Sequence, residues 1–189
     1  MASPGTEPAQ SGGMIRRLLA IGLALLLPRL ARPADDLPGH ELVVSSGYST
    51  HPLGPVTGVP LTLQYGAQLG DSPTWLAVRT DLVLNAVGEG SRMKGSSFGL
   101  MVGIEWREGP PDRIHLVLSG LLGVRWFNAP ALGADIRLGG GLHLPLGGVS
   151  WAIVAQANAV FAVAANLGES GGGRNGLGAE ALVGIRAAF

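Results

Sequence analysis

The sequence predicts an all-β fold: an eight-stranded antiparallel transmembrane β-barrel with up-and-down meander topology. Three observations predict it. Apolar residues recur at every second position through eight successive segments, with small or charged residues between them. Period two is the strand period, because successive side chains leave opposite faces. The 189 residues include 31 Gly but only 14% charged residues, whereas a solvated domain of this size normally carries more surface charge. No stretch beyond the leader has 18 uninterrupted apolar residues, so no helical span is expected.

In chain order, the first element is a leader. Met1 to Gly13 is polar and without pattern, and Met14-Ile15-Arg16-Arg17 then opens a basic region. The apolar run Leu18 to Leu27 follows, broken by Pro28, and Ala31-Arg32-Pro33-Ala34 precedes Asp35. This is the layout of a secretory signal peptide over residues 1–34, with translation starting at Met1 or at Met14. Arg32 stands where the cleavage site calls for a small residue, so a neighbouring site is an alternative to cleavage after Ala34. Residues 35–40 are then a periplasmic N-terminal segment and residues 41–189 the barrel domain. Loss of Glu7, Arg16, Arg17, Arg29 and Arg32 with the leader leaves nine basic and twelve acidic residues. Adhesion of a basic tail to anionic lipid is therefore not the expected attachment.

The eight segments follow. Glu41 to Ser49 is the weakest, with Val44 and Tyr48 sharing a face. In Val59 to Leu69, Leu61, Leu63 and Tyr65 oppose Thr62, Gln64 and Gly66. In Trp75 to Val87, Leu76, Val78, Leu82 and Leu84 oppose Arg79, Asp81 and Asn85. Phe98, Leu100, Val102, Ile104 and Trp106 oppose Gly99, Gly103, Glu105 and Arg107 in Ser97 to Arg107. From Arg113 to Phe127, Leu116, Leu118, Leu122, Val124 and Trp126 oppose Arg113, His115, Ser119, Gly123 and Arg125. Leu132 to Leu144 is the cleanest, with Leu132, Ala134, Ile136, Leu138 and Leu142 opposite Gly133, Asp135, Arg137, Gly139 and His143. Val149 to Leu167 and Leu177 to Phe189 repeat the division, the latter with Val183, Ile185 and Phe189 opposite Glu180 and Arg186. Most segments alternate for ten residues or more, which matches the ~9–11 residues a tilted strand needs to cross a bilayer.

Alternation does not say which face is inside. A water-soluble barrel points its apolar face inward, and a membrane barrel points it toward lipid. Residue size favours the second. The polar face is rich in Gly, Ser, Asn and Gln, and Lys94 is the one Lys of the chain. Small residues suit a lumen only wide enough for side chains to fill. Charged residues among them are expected to pair across that lumen: Arg79, Arg107, Arg113, Arg125, Arg137 and Arg186 with Asp81, Glu105, Asp135 and Glu180. Trp106, Trp126 and Trp151 lie on the apolar face near segment ends, as an interfacial girdle requires. Trp75 has the other parity and is expected at a strand start or turn. Turns are expected at 70–73, 109–112 and 145–148 on the periplasmic side, with outer loops at 50–57, 88–95, 128–131 and 168–176.

On this pattern, residues 40–189 resemble the small eight-stranded outer-membrane barrels of Gram-negative bacteria. Chains of that class commonly end in Phe with apolar residues at alternate positions before it, an ending read by the barrel-assembly machinery. Val183, Ile185 and Phe189 match it, and Ala187 departs from the aromatic often found there. The resemblance implies localisation in the bacterial outer membrane. It also implies the secretion and barrel-assembly machinery, outer-membrane lipids and lipopolysaccharide as partners.

Chemistry is sparse. The chain has no Cys, hence no disulfide or thiolate site, and its 13 basic and 13 acidic residues give no sign of nucleic-acid binding. No phosphate loop, HExxH, zinc cluster or nucleophile elbow occurs, so neither metal nor cofactor is expected. Ser119 with His115 or His143 is a conceivable nucleophile and base, but all three have lumen parity, and internal hydrogen bonding is the favoured role. A lumen filled by Arg and carboxylate side chains should not pass solutes. The expected function is therefore that of a structural envelope protein with no open pore. An outer-membrane lipid-modifying enzyme and a soluble periplasmic ligand-binding barrel are the alternatives.

Overall fold

The structure, a computed structural model, describes residues 39–51, 56–85, 97–110, 112–127, 131–148, 150–166 and 174–189. Eight strands are present: β1 His40–His51, β2 Val56–Gln68, β3 Thr74–Asn85, β4 Ser97–Glu108, β5 His115–Phe127, β6 Ala131–Pro145, β7 Trp151–Asn166 and β8 Arg174–Ala188. Each pairs antiparallel with the next, and β8 pairs antiparallel with β1, so the sheet closes. A closed sheet has no strand edge left with unpaired backbone groups. The expected leader and most of the four expected outer loops lie outside the described residues. Where those loops are described, strand pairing continues into them, at Thr50, His51, Val56, Ala131 and Arg174. Ladder hydrogen bonds need only backbone, so they outlast the apolar alternation.

The three expected turns are present. Leu69 N–H donates to the Thr74 carbonyl at 2.9 Å, and the Ser72 hydroxyl donates to the Leu69 carbonyl at 2.7 Å. Gly70 (φ 62°) and Gly109 (φ 110°) occupy the left-handed region that these reversals require. One sequence expectation is corrected here. Arg113 is not in β5: its amide donates to the Pro110 carbonyl at 3.1 Å, so the turn holds it and the strand begins at His115. Its side chain is exposed rather than luminal. Trp75 stands at the start of β3, one of the two places expected for it: the strand opens at Thr74, opposite Trp106, and Trp75 takes the inward parity of Ala77, Arg79 and Asp81.

The barrel is apolar outside and charged inside. Leu61, Leu63, Leu100, Ile104, Leu118, Leu122, Leu138 and Val183 are exposed, whereas Glu41, Arg79, Asp81, Glu105, Arg125 and Asp135 are buried. The inward glycines have a sharper reason than lumen width. A Cβ on Gly139 would lie 2.3 Å from the Ala157 carbonyl oxygen, and one on Gly103 would lie 2.0 Å from that of Gly120. The neighbouring backbone already occupies the space. Gly139→Ala is expected to cost about 1–3 kcal/mol, the range for overpacking, in urea unfolding of the vesicle-inserted protein. Wild-type stability in that variant would mean the sheet relaxes freely at this position.

Candidate functional site: a charged barrel interior

Strand alternation delivers the charged residues to one enclosed space. Arg79 and Asp81 on β3, Glu105 and Arg107 on β4, and Asp135 and Arg137 on β6 each stand two residues apart and face inward together. Arg125 comes from β5, Glu180 and Arg186 from β8, and Glu41 from β1. Of the ten luminal charges expected from sequence, nine are buried in the interior and Arg113 is not. Glu41 completes the set. Sequence reasoning missed it because β1 alternates weakly, although its parity matches Val43 and Ser45 against Val44 and Tyr48.

The pairs form two groups. Toward the loop end, Asp81 accepts from Arg79 Nε at 2.7 Å and from Arg125 Nη2 at 2.9 Å, and lies 2.6 Å from Arg137 Nη2. Arg125 Nε also donates to Asp135 at 2.7 Å and its Nη1 to the Ser97 hydroxyl at 3.1 Å. Glu180 accepts from Arg79 at 2.6 Å, Arg137 at 2.5 Å and Asn158 at 3.0 Å. Three guanidiniums thus meet three carboxylates. Toward the turn end, Arg107 binds both oxygens of Glu41, with Nη1 donating at 2.6 Å, and it donates to Glu105 at 2.7 Å. Gln64 donates to the other oxygen of Glu105 at 2.8 Å, and Arg186 lies 3.9 Å from Glu41. Formal charges cancel in this group too.

The Arg107 guanidinium sits 3.9 Å from the centre of the Trp75 ring, which explains a tryptophan inside the barrel: the ring face attracts the cation. On β3, β4 and β5, Ala77, Met101 and Leu121 form an apolar cluster between the two charged groups. Bidentate, charge-assisted bonds of this kind are the strong ones, and each fixes its side chain in position.

The candidate catalytic residues separate. His115 and His143 are cross-strand partners with ring centroids 5.0 Å apart. Ser119 lies four residues along β5, roughly 13 Å from His115 at about 3.3 Å per residue, opposite Gly139. His115 Nδ1 contacts the Arg113 carbonyl at 3.0 Å, and both His143 ring nitrogens are buried without a protein partner. No Ser–His hydrogen bond forms among the described residues. On the outer wall, Trp106 and Trp151 stand at the turn end, whereas Trp126 stands at the loop end against Phe98, centroids 5.8 Å apart. Tyr65 donates to, or accepts from, His40 Nδ1 at 2.7 Å, also at the turn end. Val183 and Ile185 face outward on β8, and Phe189 follows its last residue.

No family model matches the chain, and no curated protein matches it. Among solved structures, the crystal structure of Neisserial surface protein A (NspA) is similar with a TM-score of 0.55 and 12% sequence identity, covering 79% of this chain and 96% of that one. At that identity the likeness is one of fold: the chain is a small eight-stranded barrel similar in architecture to that surface protein, in keeping with the outer-membrane barrels its sequence resembles.

Proposed function

We propose that this chain is an integral protein of the bacterial outer membrane, a structural element of the envelope whose lumen is closed by its two neutral groups of ion pairs. The observation that carries this reading is the inverted burial, with charges inside and large aliphatic and aromatic side chains outside. Leaving each such side chain in water forgoes about 1.5–3 kcal/mol of transfer free energy. Repeated around eight strands, that is tolerable only against acyl chains. A soluble ligand-binding barrel needs the opposite arrangement. The fold likeness to a surface protein supports the same environment.

In this reading residues 1–34 direct export. Barrel-assembly machinery reads Val183, Ile185 and Phe189, and lipid with lipopolysaccharide surrounds the wall. The ends of the barrel domain and the three turns share one rim, which faces the periplasm. Trp106 and Trp151 then meet the inner interface and Trp126 the outer one.

Membrane fractionation followed by gel electrophoresis with and without boiling tests the proposal. The protein is expected in the outer-membrane fraction, migrating as a compact species until boiled, and purified barrels in planar bilayers should show no stepwise conductance. Recovery as a monodisperse species in detergent-free buffer would overturn the membrane assignment, and regular conductance steps would overturn the closed lumen.

A further inference from the structure

The β1–β8 pair differs from the other seven. Those join consecutive strands, so the connecting chain limits their register. β1 and β8 lie at opposite ends of the domain and meet with no connection, in ten register pairs from Glu41↔Ala188 to Thr50↔Ala179. A slip of two residues would keep every side chain on its own face and allow a new ladder of backbone hydrogen bonds. Backbone pairing and the inside–outside pattern therefore leave this register open.

The interior does not. Each of the two closing strands sends one carboxylate across the lumen to distant strands. Glu41 of β1 is bound by Arg107 of β4, and Glu180 of β8 by Arg79 of β3 and Arg137 of β6. Strands β2 to β7 alone carry Arg79, Arg107, Arg125 and Arg137 against Asp81, Glu105 and Asp135, one positive charge in excess among the described residues. Glu41 from β1, with Glu180 and Arg186 from β8, brings the interior to neutrality. A two-residue slip moves a strand by roughly 6.6 Å, which takes a carboxylate out of hydrogen-bond range of its guanidinium. We infer that Glu41 and Glu180 set the register of the seam between the two ends of the barrel, by making every slipped closure bury mismatched charge. Buried ion pairs are best attested in such register-fixing roles. Gly47 and Gly184 also shape this seam, since a Cβ on either would overlap a carbonyl of the facing strand. Both remain unchanged in the variants below, so their contribution is separable.

The chain has no Cys, so cysteine pairs can report the register directly. In the full barrel folded into lipid vesicles, S46C/V183C marks the native pairing, whereas S46C/A181C and S46C/I185C mark slips of two residues in either direction. Cross-linking is scored on the species that migrates as a closed barrel before boiling. With Glu41 and Glu180 intact, only the native pair should cross-link. In an E41Q/E180Q background the slipped pairs should rise at least fivefold. D135N, which removes a buried carboxylate away from the seam, should leave the native pair alone. Native-only cross-linking in E41Q/E180Q would overturn the inference. If that double variant does not close, E41Q and E180Q are scored singly: slipped pairs, or failure of both to close while D135N closes, support the inference. Native-only cross-linking in both, or failure of all three, overturns it.

Discussion

Leu138→Arg is expected to destabilise the vesicle-inserted barrel by about 2–4 kcal/mol, the cost of an Arg at the bilayer midplane on the lipid face of a barrel. Leu138 is the central residue of β6 (Ala131–Pro145) and is 63% exposed. Its neighbours across β5 and β7 are Gly120 and Ala159, too small to shelter it. A charge placed there has nothing but the surroundings of the barrel to solvate it. The same substitution at Leu132 or Leu144, near the two ends of β6, should cost about 0–1 kcal/mol, because the long side chain reaches the interface. Urea unfolding from vesicles measures all three. A water-soluble barrel would respond in the opposite way, since an exposed Leu replaced by Arg improves its surface. Wild-type stability at position 138, or equal costs at the three depths, would remove the lipid-facing assignment.

The strands were legible because one physical rule produces them. From Leu132 to Leu144 every inward position is small, charged or His and most outward positions are aliphatic, so the sequence shows both the strand and which residues share a face. Asp135 and Arg137 could be placed in the lumen on that basis alone. Their partners could not. Asp81 meets guanidiniums from β3, β5 and β6 because closure and stagger bring those strands to one level, and stagger leaves no trace in alternation. Trp75 shows a different limit. Its parity placed it at a strand start or turn, and it does stand at the start of β3, but parity did not say what the ring would meet. The residue is 8% exposed, its ring beneath Arg107, a contact visible only once β3 and β4 are registered. Arg113 failed for a local reason: its amide donates to the Pro110 carbonyl, a turn bond that holds it outside the strand. Orientation of the two faces was the least legible feature, since membrane and soluble barrels share the same period.

Asp81→Leu should cost about 3–5 kcal/mol, the range for breaking a buried ion pair by removing one partner. Asp81 is 0% exposed and holds three arginines that are themselves buried. Without it, Arg79, Arg125 and Arg137 share only Asp135 and Glu180, and one guanidinium charge is left unbalanced with no access to water. Desolvating such an ion costs several kcal/mol, more than the apolar gain of the added leucine, about 1.5–3 kcal/mol. The sign of a companion substitution separates charge balance from simple packing. Asp81→Leu combined with Arg125→Met removes one charge of each sign and restores neutrality, so it should be less destabilising than Asp81→Leu alone. If packing were the dominant effect, the second substitution would add its own cost, since Arg125 fills the space beside Gly99. Urea midpoints for the wild type, the single variant and the double variant decide between the two. A double variant weaker than the single one would mean that the interior is held by shape, and that its balanced charges are incidental to the closed barrel.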